Sequence, residues 1–153
     1  MKKLQFVIVI DASREKVWNT LLEEETYREW TAPFSPAGSY FKGDWSKGSK
    51  ILFIGIDAET GKEDSGLFAE IVESRLHEFV SVKHLGEIKD GVEVPWSNHD
   101  QDGFENYTLT DKDGGTEVFV ELINIPDEWT EMMNDAWPKA LAKLKEIAEA
   151  TSH

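Results

Sequence analysis

The stretch 127-DEWTEMMNDAWPKALAKLKEIAEA-150 decides the fold. Apolar side chains fall at Trp129, Met132, Met133, Ala136, Trp137, Ala140, Leu141, Leu144, Ile147 and Ala148. Those spacings of three and four residues trace one wide apolar face at the helical period, and they predict a single helix from Asp127 to Ala150. Glu131, Asp135, Lys139, Lys143 and Glu146 fall mostly on the other face, and Asp135 with Lys139 makes a favourable i,i+4 pair. Asp127 is a suitable N-cap, and Glu128 and Glu131 suit the positive end of the helix dipole. Pro138 deletes the N–H that would bond the Asn134 carbonyl, so a kink is expected there. Burying each large apolar side chain is worth roughly 1.5–3 kcal/mol. A face this wide therefore needs a cover, and the rest of the chain is expected to supply a sheet that wraps it.

Upstream, Leu4 to Asp11 is β-branched and apolar enough to be a strand covered on both faces. Ser13 then caps a short helix whose inner face is Val17, Trp18, Leu21 and Leu22. Thr26 and Glu29 fit a capping box for a second short helix, Tyr27 to Trp30. Thr31 to Gly38, with two prolines and a glycine, reads as a loop. From there the period changes. Ser39 to Phe41, Lys50 to Asp57, Gly66 to Ser74, Glu78 to Leu85, Phe104 to Thr110 and Thr116 to Asn124 read as strands. Asp57 to Ser65 is a polar hairpin loop, and Asp111 to Gly115 a tight turn with glycines available for positive φ. In the last strand Val118, Val120 and Leu122 alternate with Glu117, Phe119 and Glu121, which predicts one buried and one wetter face. Gly86 to Gly103, acidic and containing Pro95 and Trp96, reads as one long loop, a lid candidate. The order is strand, two short helices, about six or seven strands, then a long helix. It predicts an α+β fold with a curved antiparallel sheet gripping the last helix, in one domain over residues 1–153.

The formal net charge of −14, from 30 acidic and 16 basic residues, argues against nucleic acid and anionic membrane surfaces as partners. The chain has no Cys, which removes disulfides, thiolate nucleophiles and thiolate metal sites. The apolar run Phe6 to Ile10 is too short for a signal-peptide core, and no stretch approaches the length of a membrane span. A soluble, cytoplasmic protein without membrane insertion is expected. Six Trp and eight Phe fit either a large aromatic core or an aromatic-lined pocket.

Several segments in this order resemble one known group of proteins. Ala12-Ser13-Arg14-Glu15-Lys16-Val17-Trp18 resembles its strand-to-helix junction. Trp30 with Pro33 and Phe34 resembles the aromatic after its second helix. Gly43-Asp44-Trp45 and Gly48-Ser49 resemble its next strand and turn, and Gly114-Gly115-Thr116 with Val118 its turn into the last strand. Trp137, Leu141 and Leu144 are similar to the Trp-x-x-x-Leu-x-x-Leu pattern of its final helix, with Pro138 a departure. The chain thus resembles the helix-grip, START-like (SRPBCC) superfamily. Within it, the resemblance is to the bacterial family named after activators of the heat-shock protein 90 ATPase. The resemblance implies the helix-grip fold and a cavity between sheet and helix that commonly holds apolar or lipid-like ligands. It fixes no reaction, since one fold hosts many functions. The eukaryotic activators carry a further chaperone-binding domain for which this chain has no room, so a chaperone partner is implied by analogy only.

The expected cavity residues, taken from inward faces, are Trp30, Phe34, Trp45, Phe53, Phe68, Val82, His84, Tyr107, Trp129, Met133 and Trp137. Each also has a plain reading as core, and Met132 and Met133 suit either an adaptable wall or helical packing. His84 shares alternation with Val80 and Val82, so its ring is expected inward, there to orient a ligand, act as acid or base, or pair with a core group. Glu105 and Tyr107 share one face of their strand, and Glu105 is a possible partner for His84. His77 and His99 read as exposed. Asn98-x-Asp100-x-Asp102-Gly103 begins like a calcium loop but has Leu109 where a bidentate Glu is required, so no metal is expected. Asp57, Glu59, Glu63 and Asp64 read as a solvated hairpin end. No nucleophile motif or phosphate-binding loop is present, so no cofactor or catalytic residue is assigned. Three functions remain. The favoured one is binding of a small hydrophobic molecule without catalysis. The second is a cyclase- or hydratase-type enzyme using His84, Tyr107 or Glu105. The third is a protein-interaction module with an exposed apolar patch around Trp96.

Overall fold

The structure, a computed structural model, describes residues 2–35, 37–95, 103–125 and 127–150. Its elements run β1 (Lys2–Ile10), α1 (Arg14–Leu22), α2 (Glu24–Trp30), β2 (Ser39–Gly43), β3 (Lys50–Gly55), β4 (Ser65–Arg75), β5 (Phe79–Lys89), β6 (Val92–Pro95), β7 (Gly103–Lys112), β8 (Gly115–Ile125) and α3 (Asp127–Ala150). The eight strands form one antiparallel sheet in the order β1-β8-β7-β5-β4-β3-β2, with β6 on β5. This is the expected α+β helix-grip architecture.

The grip follows from two matching patterns. The inner side of α3 carries Trp137, Ala140, Leu141, Leu144 and Ala148. These share one core with Ile10, Val80, Val82, Leu109, Val118, Val120 and Leu122 from the strands. The alternation in β8 holds, with Val118, Val120 and Leu122 buried. The far end of α3 is tied to β1. Lys145 Nζ donates to the Val9 carbonyl at 3.1 Å, and the Asp11 N–H donates to the Glu149 carboxylate at 2.8 Å. Ser13 caps α1 as expected, accepting from the Lys16 N–H at 3.2 Å.

Several expectations change. The stretch 86–95 is not loop: β5 runs on to Lys89 and turns at Asp90 and Gly91, both at positive φ, and β6 pairs back along it. Two adjacent positive-φ residues suit the twist of a two-residue hairpin, and Asp113-Gly114 makes the same connection between β7 and β8. The lid, Trp96, His99 and the loop from Asn98 to Asp102 lie outside the described residues. The second helix begins at Glu24, not Tyr27, and the Thr26–Glu29 capping box is not formed. Thr26 instead donates to the Glu23 carbonyl at 3.3 Å. Asp127 is the first helical residue rather than the cap, and Met132 is 48% exposed rather than packed. Pro138 lies exposed within α3, which continues through it to Ala150.

Irregularities in the β4–β5 register aim side chains at the site. Phe68 pairs with Gly86 but Ala69 pairs with His84, so Leu85 is an extra residue on β5. A bulge of this kind shifts the alternation by one. It turns Glu87, opposite Leu67, to the side that His84 occupies. Gly86 itself has no room for a side chain, since a Cβ there would meet the Val94 carbonyl oxygen at 2.4 Å.

Candidate functional site

Toward its N-terminal half α3 carries partly buried side chains, Trp129 and Met133, where its C-terminal half carries fully buried ones. A half-open cavity of about 600 Å³ lies at that end. Its floor comes from the sheet: Phe53 of β3, Leu67 of β4, His84 and Glu87 of β5, and Glu105 and Tyr107 of β7. Its walls are Tyr27 and Trp30 of α2, Thr31 and Phe34 after it, and Trp129, Met132, Met133 and Trp137 of α3. A second cavity of about 720 Å³ adjoins it and shares Leu67, His84, Glu87, Glu105, Trp129 and Met133. It continues between the ends of β7 and β8 and the first turn of α3.

The walls are held by aromatic contacts. Trp137 is the hub, with ring centroids 5.1 Å from Phe34, 6.0 Å from Trp30, and 6.1 Å from both Phe6 and Tyr107. Tyr27 links Trp30, Phe41, Trp45 and Phe53 on the other side. Trp30 is fixed by its own N–H, which donates to the Leu21 carbonyl at 3.1 Å. Trp30 is the last residue of α2, so this bond ties that end of the cavity wall back to α1.

One polar group sits among these rings. The Glu105 carboxylate accepts from the Tyr107 hydroxyl, and its other oxygen lies 3.4 Å from His84 Nε2. Strand register explains the meeting: Glu105 and Tyr107 are two residues apart on one face of β7, and Val82 and His84 pair across from Glu105 and Gly103. The side chains of His84 and Glu105 are 12% and 23% exposed. Burial first, then the negative charge of Glu105, raises the pKa of both Tyr27 and Tyr107 well above the ordinary phenol value. Among the described residues, His84 Nδ1 and the indole N–H groups of Trp45 and Trp137 are buried without a hydrogen-bond partner. The arrangement can do two things chemically: line an apolar ligand with rings, and offer that ligand a carboxylate, a phenol and an imidazole at one point. No three His, Asp or Glu side chains among the described residues come close enough to hold a metal ion.

Residues 11–149 match the model of the family described as Activator of Hsp90 ATPase homolog 1-like protein. The chain belongs to that family. None of the curated proteins compared with this family member matches it. Solved structures share its fold at low identity. The Aha1 dimer from Colwellia psychrerythraea is 18% identical with a TM-score of 0.71, and all of both chains is covered. Protein CV1439 from Chromobacterium violaceum is also 18% identical at a TM-score of 0.71, over 99% of this chain and 100% of that one. ChR145 from Cytophaga hutchinsonii is 23% identical at 0.70, over 97% and 94%.

In this Hsp90-ATPase-activator-like chain the sequence candidates divide by position. Trp30, Phe34, Phe53, His84, Tyr107, Trp129, Met133 and Trp137 line the first cavity. Trp45 lies behind Phe53, 5.7 Å between ring centroids, and does not line it. Val82 is wholly buried in the core and does not line it. Phe68 packs in a separate cluster with Ile54 and Ile88, on the face of the sheet away from Phe53. Tyr27, Thr31, Leu67 and Glu87 line the cavity without having been singled out by sequence. Tyr27 had a usable signal, since it precedes Trp30 by three residues and so shares its helical face. Glu87 had none, because its inward aim depends on the bulge at Leu85.

Proposed function

We propose that this protein binds a small apolar molecule in the space between the sheet and the first half of α3. The supporting observation is the cavity of about 600 Å³ walled by Tyr27, Trp30, Phe34, Phe53, Trp129 and Trp137. Its size is that of a ligand pocket, and its composition, aromatic and aliphatic side chains with several convergent polar groups, is what such pockets use. Titration of the protein with neutral polycyclic aromatics, followed by tryptophan fluorescence, tests this. Saturable quenching is expected, and Met133→Trp, which fills the space shared by both cavities, abolishes it. A wild-type response that never saturates, or one unchanged in Met133→Trp, overturns the reading.

The meeting of His84, Glu105 and Tyr107 favours a second reading, acid–base chemistry on a ligand held in the same place. Turnover that disappears in Glu105→Gln even at saturating ligand would separate it from binding alone. A chaperone partner is suggested by the family description only. Its test is a direct binding measurement between the two purified proteins.

A further inference from the structure

We infer that the occupant of this cavity is an apolar molecule ending in a hydrogen-bond donor, a hydroxyl or an ammonium group, which Glu105 reads. Molecules ending in a carboxylate, free fatty acids among them, are rejected. This rests on the binding reading above and adds the polarity of the ligand's head.

Glu105 stands on a central strand, yet its side chain keeps 23% exposure, and it lines both cavities. An ionised carboxylate offers about four lone-pair positions. Tyr107 takes one on Oε2, and His84 approaches Oε1 at 3.4 Å. The remaining acceptor capacity faces ligand space. Its negative charge is felt by its neighbours, since it contributes to raising the pKa of both Tyr27 and Tyr107.

Among the described lining residues, the group set against Glu105 is the His84 ring, and no Lys or Arg stands free beside it. Lys89 is the one Lys or Arg among the described lining residues, and it pairs with Glu87 at 3.3 Å. The first turn of α3 would ordinarily favour an anion. Here it carries Asp127 and Glu128, both of which line the second cavity. A ligand carboxylate would thus lie beside the Glu105 carboxylate with no free Lys or Arg among the described lining residues to pair with it, and taking an unpaired charge out of water is costly. A hydroxyl or ammonium would instead find a charged acceptor, and bonds to charged groups are the stronger kind.

The experiment measures dissociation constants by calorimetry for four probes that share one ring system: methylnaphthalene, naphthol, naphthylmethylammonium and naphthoate. Wild type and Glu105→Gln are compared at neutral pH. Naphthol and naphthylmethylammonium are expected to bind wild type about tenfold or more tighter than methylnaphthalene, and naphthoate more weakly than methylnaphthalene. In Glu105→Gln the ammonium loses most of its advantage and naphthoate gains. If all four bind wild type alike, or naphthoate binds best, this inference is overturned while the cavity reading stands. If none binds, the cavity reading fails and takes this inference with it. Should Glu105→Gln not fold, the order of the four probes on wild type decides alone.

Discussion

Trp137 is the residue on which the grip and the cavity wall both depend, and its two truncations separate packing from polarity. It is 3% exposed and contacts the rings of Phe6, Trp30, Phe34 and Tyr107, so it joins β1, α2, the loop after α2, and β7 to α3. Removing the ring altogether, as in Trp137→Ala, forfeits that burial and leaves a void, which costs about 3–5 kcal/mol. For a chain of this length each kcal/mol shifts Tm by roughly 2–4 °C, so the loss amounts to roughly 10 °C. Trp137→Phe behaves differently. It keeps a ring against the same four neighbours and removes an indole N–H that has no partner among the described residues. A buried unsatisfied donor costs about 1–3 kcal/mol, and its removal offsets much of the lost ring area. Trp137→Phe is therefore expected within about 1.5 kcal/mol of wild type, the range of a tolerated core swap. Urea denaturation with matched slopes measures both. If Trp137→Phe loses as much as Trp137→Ala, the indole N–H is not an unsatisfied donor and the reasoning fails. If Trp137→Ala loses under about 1 kcal/mol, well short of the cost of deleting a core aromatic, Trp137 is not a core strut.

Other consequences are open to measurement. Tyr27 and Tyr107 have pKa values raised by burial and by Glu105, so the folded state holds protons that the unfolded state releases above its ordinary value of 10. Stability present below pH 10 therefore falls as the pH rises beyond it, and an absorbance titration should show these two phenols ionising only as the protein unfolds. Glu149 is held below its ordinary value of 4.5 by the Asp11 N–H first and by Lys145. Its contribution is complete above pH 4.5 and is lost as the pH falls through the lower folded value, so Glu149→Gln should flatten the acid limb of a stability–pH profile; an unchanged limb refutes the clamp. Gly66 lies where a Cβ would stand 1.9 Å from the Phe53 carbonyl oxygen. Gly66→Ala should cost about 2 kcal/mol or more by forcing β3 and β4 apart, and a melting temperature equal to wild type would contradict the register at that point.

The bounds of α3 were readable because its apolar positions recur at helical spacing over its whole length. The face of β8 was readable because charged residues alternate with Val118, Val120 and Leu122. Phe68 was misplaced for the opposite reason. Leu67, Phe68 and Ala69 are consecutive apolar residues on a strand packed on both faces, so alternation carries no information about which points to the helix. The β5–β6 hairpin carried its signal in Asp90-Gly91, but the acidic residues around it outweighed two positions. The cavity itself was only partly legible. Periodicity identifies an inner face, and it cannot tell the part of that face that meets its partner, such as Leu144, from the part that lines a space, such as Met133. The Glu105–Tyr107–His84 meeting required strand pairing, which no local pattern states.

Ligand space between the sheet and the first half of α3, unlike tightly packed core, admits a small molecule, and a two-dimensional amide NMR titration with naphthol reads out that entry. Saturable shifts confined to Tyr27 and Phe34, to His84 and Glu105, and to the helix from Trp129 to Trp137 are the predicted result. Shifts absent from these positions, or scattered over the outer face around Phe68, would contradict it.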